Sequence, residues 1–183
     1  MRFLVVVLAA LASALASAIP ENLECPGGHL ETTTSYIGKD SNVRVDRTDC
    51  IAATSAAVAA PAIEKRQSNV CGAQCNTNCF IPSGGGPDPN ECHVISDALL
   101  YDSQNVGALF QLNPAANGSV ITMQFRSCQS FMVNQDNVTL TYCRTDWSAV
   151  LDFVAFNCQS QQNAHGGNCV AADQRWFIQV QHS

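Results

Sequence analysis

The ten cysteines of this 183-residue chain constrain its fold more than any other feature. Cys25 and Cys50 precede a lone basic pair, Lys65-Arg66. Cys71, Cys75, Cys79, Cys92, Cys128, Cys143, Cys158 and Cys169 follow it. Both groups are even, so each segment can close its own bridges. Disulfides persist in oxidising compartments, and the N-terminus points the same way. Arg2, an apolar run over 3–15 and the small-residue motif Ala16-Ser17-Ala18 read as a secretory signal peptide over 1–18. The run is short for a membrane anchor, and no later apolar stretch approaches the roughly 20 residues of a spanning helix. The sequence therefore predicts a secreted, extracellular protein.

The Lys65-Arg66 pair is read as a processing site for a kexin-type maturation protease of the secretory pathway. It follows the alanine-rich "CIAATSAAVAAPAIEKRQ", which has too few large side chains to order itself firmly and should be open to a protease. Residues 19–66 would then be a propeptide, and residues 67–183 a mature cysteine-rich domain beginning at Gln67. Composition changes at the same point. Residues 67–183 hold three arginines, Arg126, Arg144 and Arg175, against eight acids, and no lysine. Nucleic acid is not an expected partner, because phosphate neutralisation needs clustered cations. Anionic membrane is disfavoured for the same reason.

The predicted fold is α+β, a small disulfide-rich domain in which an antiparallel sheet carries two helices on one face. Asp88 suits an N-cap, Pro89 the first helical turn and Glu91 the capping-box position. Cys92, Ile95, Leu99 and the neighbouring Leu100 then recur at helical spacing, giving a helix over about 89–102. "VGALFQL", "SVITMQFRSC", "SFMVN" and "VTLTYC" read as strands, with Ile121, Met123 and Phe125 alternating with polar residues. A second helix, "TDWSAVLDFVAF", starts from Thr145 or Asp146 and places Trp147, Val150, Leu151 and Val154 on one face. In the last strand Trp176, Ile178 and Val180 alternate with Phe177, the aromatic expected to point outward. Were Cys71, Cys75 and Cys79 helical, they would line one face and bolt three other segments to it. Eight cysteines permit many pairings, and spacing alone does not choose among them. Asn117 and Asn137 head glycosylation sequons.

Catalytic patterns are sparse. His93, His165 and His182 have no metal-ligand spacing, and C-x₃-C-x₃-C in an exported chain fits bridges better than zinc. No cofactor or metal is expected. His165, in "AHGGN", is the candidate ligand or acid–base residue, since its glycines leave room beside it. Asp97, Asp146 and Asp152 are acids at predicted helix positions and read as capping or solvated residues.

One wider pattern joins "DPNECHVISDAL", "MQFRSCQSFMVN" and "CRTDWSAVLDFVAFNC…AHGGNC…QRWFIQV". It resembles the fungal killer-toxin-like family and related cysteine-rich secreted effectors. The likeness is carried by Cys92 in the first helix, Ser127-Cys128 at a strand end, the Asp146-led helix, Gly167-Asn168-Cys169 and the Trp176 strand. It covers roughly residues 87–181, and the whole chain looks like a secreted protein of mushroom-forming fungi. The resemblance implies a sheet covered by two helices, and action on an extracellular protein or glycan target rather than catalysis. Toxins of this type lean on basic residues, whereas this product has no lysine and a net negative charge. The chain thus reads as a non-enzymatic effector or toxin-like protein. The alternatives are a small hydrolase using His165 with a carboxylate, or a passive wall or matrix component. Intact mass of the secreted protein is expected to start at Gln67; a product still carrying residues 60–66 would contradict the processing site.

Overall fold

The structure, a computed structural model, describes residues 25, 27–52, 68–81, 85–114, 119–158 and 165–183. The expected signal peptide over 1–18 and the predicted site residues Lys65, Arg66, Gln67 and Asn117 lie outside these. Among the described residues, ten strands and two helices follow in order. They are β1 (Gly28–Ile37), β2 (Val43–Ala52), β3 (Ser68–Asn69), β4 (Cys75–Cys79), α1 (Pro89–Asn105) and β5 (Leu109–Leu112). After these come β6 (Val120–Phe125), β7 (Cys128–Asn134), β8 (Leu140–Cys143), α2 (Arg144–Phe156), β9 (Gly167–Ala171) and β10 (Trp176–His182). Seven strands form one sheet in the order β1-β2-β6-β7-β10-β9-β4, and β3-β8-β5 form a second, small one. Every pairing in the large sheet is antiparallel. In the small sheet β3 runs parallel to β8. The expected α+β architecture, two helices on a mostly antiparallel sheet, is what the chain adopts.

Strand alternation decides which side chains meet the helices. Ile121 and Met123 of β6, Met132 of β7, and Trp176, Ile178 and Val180 of β10 are buried in one core with Ile95 and Leu99 of α1 and Trp147, Leu151 and Val154 of α2. Trp147 donates from Nε1 to Ser130 Oγ at 3.0 Å, which satisfies its one polar atom inside that core. The opposite parity is not simply solvent-facing. Val120, Phe131 and Val133 are buried on the reverse face, and Phe177 packs there with its ring 6.1 Å from that of Phe131. Phe177 does point away from Trp176, as its parity requires, but into a second cluster rather than into water.

Helix α1 begins where the sequence predicts: Asp88 accepts from Asn90 N at 2.8 Å, and Pro89 occupies the first turn. Glu91 does not close a capping box. Its carboxylate instead accepts from the amide and hydroxyl of Ser127, while Ser127 Oγ accepts from Asp88 N at 3.1 Å. The partner at the helix start is thus the β6–β7 turn, and those two donors hold Glu91 below the ordinary carboxylate range. Helix α2 starts earlier than expected: Cys143, rather than Thr145 or Asp146, is its N-cap, with no side-chain cap bond. Asp146 is free of capping duty and accepts from Gly72 N at 2.5 Å.

The C-x₃-C-x₃-C segment is a turn and a strand, not a helix. On a strand, residues two and four apart share a face, so Cys75, Thr77 and Cys79 of "CNTNC" alternate with the exposed Asn76 and Asn78. The expected bolting to three segments still occurs: Cys71–Cys143, Cys75–Cys169 and Cys79–Cys158. Cys92–Cys128 ties α1 to β7, and Cys25–Cys50 closes the open end of the β1–β2 hairpin. Gly167 shows how tightly β4 and β9 approach. A Cβ there would lie 2.6 Å from Asn78 O and 2.7 Å from Cys158 Sγ.

The hairpin is the largest departure from the sequence reading, which took residues 19–66 only as an accompanying segment. It turns through Gly38, Lys39, Asp40, Ser41 and Asn42, a cluster of turn-forming residues, with Ser41 N donating to Gly38 O. Gly38 has φ +88°, and a Cβ on it would meet Ala98 Cβ of α1 at 2.8 Å, so glycine is required twice over. Strand β2 joins β6, with Arg44↔Gln124 through Thr48↔Val120 in register. Val43 and Val45 enter the main core, a burial worth about 1.5–3 kcal/mol each. Asp49 Oδ1 accepts from Ser119 Oγ at 2.6 Å and from Asn113 Nδ2 at 3.2 Å, and Arg47 Nε donates to Asp49 Oδ2.

Desolvation raises the Asp49 pKa, but the bonds from Ser119, Arg47 and Asn113 together outweigh it and leave a net lowering. A depressed folded pKa contributes stability in full above the unfolded carboxylate value of about 3.9, and that contribution is lost as pH falls through the folded value. The protection of the β2 amides against hydrogen exchange, relative to their intrinsic rates at each pH, is therefore expected to fall on acidification below that value. Asp49→Asn should flatten the response; an unchanged profile would show that Asp49 does not couple docking to pH.

Candidate functional site

Packing of α1 against α2 creates a cluster where serine, histidine and carboxylate side chains converge. Ser96 and His93 lie one turn apart on α1, and Ser148 and Asp152 lie one turn apart on α2, so each pair shares a helix face. Ser96 Oγ and Ser148 Oγ are 2.6 Å apart, and Ser96 also donates to Asp152 Oδ2 at 3.0 Å. His93 Nδ1 lies 3.0 Å from the same oxygen, and Asp97 Oδ1 is 3.8 Å from Nε2. The ring of Phe156 meets His93 edge-on.

The residue types are those of a hydrolytic triad, but the order is different. Nucleophilic serine needs a histidine to take its proton, with the carboxylate behind the histidine. Here Asp152 stands between Ser96 and His93. Ser96 is also fully buried, whereas His93 is half exposed. The arrangement gives buried hydroxyls acceptors between two apolar helices, and Asp152 accepts from both sides. Its physical role is to fix how α1 and α2 face one another.

The other residues singled out in the sequence lie outside this cluster. His165 sits beside the β4–β9 edge. Its backbone N donates to Phe80 O, Gly166 O accepts from Phe80 N, and its ring lies against Gly85. Asp146 is engaged by Gly72 N and Asp152 by Ser96 and His93, so the carboxylates proposed to work with His165 have other partners. His182 is at the exposed chain end, its Nδ1 2.9 Å from Ser183 O. Asn137 is exposed in the β7–β8 connection, and Thr139 of its sequon donates to Asn113 Oδ1. Cys71, Cys143 and Asp146 bring ligand-type atoms within 4.8 Å of one another. The two sulfurs are bonded together, which removes the thiolates a soft metal would need.

Two further polar groups shape the region just after the predicted processing site. Arg175 Nη1 donates to Ser68 Oγ at 2.9 Å and Nε pairs with Asp136. That guanidinium, against a smaller opposing effect of burial, holds the Asp136 carboxyl below its ordinary range. Ser68 N and Val70 N also donate to Thr139 O and Thr141 O, which pins the start of the 68–81 segment to β8. Tyr142, buried next to the same strand, has its phenol pushed well above the usual value, first by desolvation and then by the charge of Asp146.

His93 and Asp152 lie 59 residues apart in the chain; only helix packing unites them. Asp152→Ala removes the carboxylate acceptor of the buried Ser96, whose hydroxyl keeps Ser148 O and Ser148 Oγ, and is expected to cost about 1–2 kcal/mol in urea unfolding. His93→Ala, at an exposed site, should stay within about 0.5 kcal/mol. Equal losses for the two would mean that His93 is part of the structural unit. Comparison with protein-family models, with curated proteins and with solved structures gives no match to this chain.

Proposed function

We propose that this chain is a secreted, proteolytically matured effector or toxin-like protein that acts by binding an extracellular or cell-surface target. The observation that carries the reading is the complete pairing of all ten cysteines in five bridges. A domain stapled in this way is built for an oxidising, protease-rich exterior. The acidic product, without lysine, favours a protein or glycan target over a polyanion. The Ser96–Asp152–His93 order supports a structural rather than hydrolytic use of the residues that would otherwise suggest chemistry. The resemblance to killer-toxin-like and effector proteins agrees with this reading and supplies the class of target, a competing fungus or a plant surface. The glycosylated state, with carbohydrate on Asn137 and Asn117, belongs to the same proposal.

The expected result is that the purified product, labelled on its surface carboxylates, binds intact fungal cells or plant tissue saturably and alters growth or elicits a cell response. Binding that fails to saturate, with no response in either system, would count against the proposal. Recovery of the protein only in the insoluble wall fraction would favour the passive structural alternative.

A further inference from the structure

The five disulfides divide the chain into two separately closed parts. Cys25–Cys50 closes the hairpin on itself. The other four bridges all fall between residues 71 and 169, and no cysteine is free. The hairpin's ion pairs, Arg44–Asp46 and Arg47–Asp49, are internal as well. Apart from the peptide chain through residues 53–67, hairpin and domain are therefore joined by a non-covalent interface.

That interface has the features of a strand-addition site, in which main-chain ladder bonds provide affinity and alternate side-chain pockets provide specificity. The ladder runs along β6 from residue 120 to residue 124. Val43 and Val45, two residues apart on one face of β2, enter the core beside Ile121 and Met123. At one end Gly38 N donates to the buried Asp102 at 3.2 Å, and Gly38 itself fits against Ala98 where no larger residue would. At the other end Asp49 accepts from Ser119 and Asn113. The site thus reads a backbone edge, two β-branched apolar side chains, a glycine and a carboxylate at set distances along one strand.

We infer that the β6 edge and the adjoining face of α1 form a strand-acceptor site, and that the 25–52 hairpin is its exchangeable ligand. Severing the chain within residues 53–67 converts an intramolecular edge cover into a bound peptide that leaves and returns. An emptied β6 presents unpaired N–H and C=O groups beside Ile121 and Met123, the kind of edge that pairs with another extended chain. The occupant is the hairpin of this chain. Maturation at Arg66 would acquire a second consequence, uncovering this edge, but the acceptor site does not depend on that cut occurring naturally.

The experiment uses the full oxidised chain with a specific protease site placed in 53–67. After cutting, the two parts are expected to separate on a denaturing, non-reducing gel and to co-elute under native conditions. A fluorescently labelled, oxidised 25–52 peptide should enter the cut protein and not the uncut one. The same peptide with Val45→Asp should bind more than about tenfold less tightly, whereas Lys39→Ala, in the exposed turn, should bind like the parent. Hydrogen exchange at the β6 amides should rise on cutting while that of β10 stays constant. Parts that remain linked on the denaturing gel would overturn the inference. So would exclusion of the labelled peptide from the cut protein over days, or equal entry of the Val45→Asp peptide. An emptied domain that pairs with itself and is unaffected by added hairpin would also overturn it, by showing a second copy to be the preferred occupant.

Discussion

Cys71, Cys75 and Cys79 fasten one short segment to Cys143 at the start of α2, to β9 and to Cys158, two residues past the end of α2. The rest of the domain depends on this. Strand β4 carries no large apolar side chain, so hydrophobic burial cannot hold it at the sheet edge. Its bridges span 94 and 79 residues, and closing such long loops restricts the unfolded chain, by a typical ~2–4 kcal/mol per bridge. With β4 fixed, β9 lies between β4 and β10 with hydrogen bonds on both sides, and the end of α2 is drawn onto the sheet. Bridges of this kind do for β4 what Trp147 and Trp176 do for the centre of the domain.

The opposite edge of the same sheet is held by different physics. There β1 and β2 have one bridge, and it is internal. Two valines, a five-position ladder and two carboxylates with neutral donors attach the hairpin to β6 and α1. Such an edge sits at the low-stability end of a fold's range of local openings. One sheet therefore has a covalently locked end and a releasable end, and the only strand pair at the releasable end comes from the segment that carries the predicted processing pair at its far side.

Much of the local structure was legible because it depends on neighbours in sequence. Asp88 and Pro89 announce α1, and the alternation around Ile121 and Met123 announces β6. The misreadings have long-range causes. Glu91 occupies the capping-box position, but Ser127 offers it two donors from another element. Asp146 looked like a cap until Gly72 came within reach. Strands β4 and β9 escaped notice because cysteine, asparagine and glycine replace the apolar alternation that marks a strand. The hairpin did leave a signal, "LETTTSYI" and "VRVDRT" around the turn residues "GKDSN", two β-prone runs flanking a break. Its alternation of charged and β-branched residues reads as surface unless Val43 and Val45 have a core to enter. For the candidate site, His165 stood out through its glycines, while the cluster that actually forms unites His93 and Asp152 only once the helices pack.

The amino-acid sequence alone determined the even division of the cysteines about Lys65-Arg66, the two helices, the core-facing residues of β6 and β10 and the acidic, lysine-free character of residues 67–183. These are local or additive properties, set by side-chain chemistry and by periods of two and 3.6 residues. Tertiary structure alone decided which cysteines pair, that residues 28–52 complete the main sheet, and that serine, aspartate and histidine meet between the helices in a non-catalytic order. Each of those depends on groups far apart in the chain arriving at one place, and their proximity is a result of how the whole core packs, not of any pattern within reach of a single element.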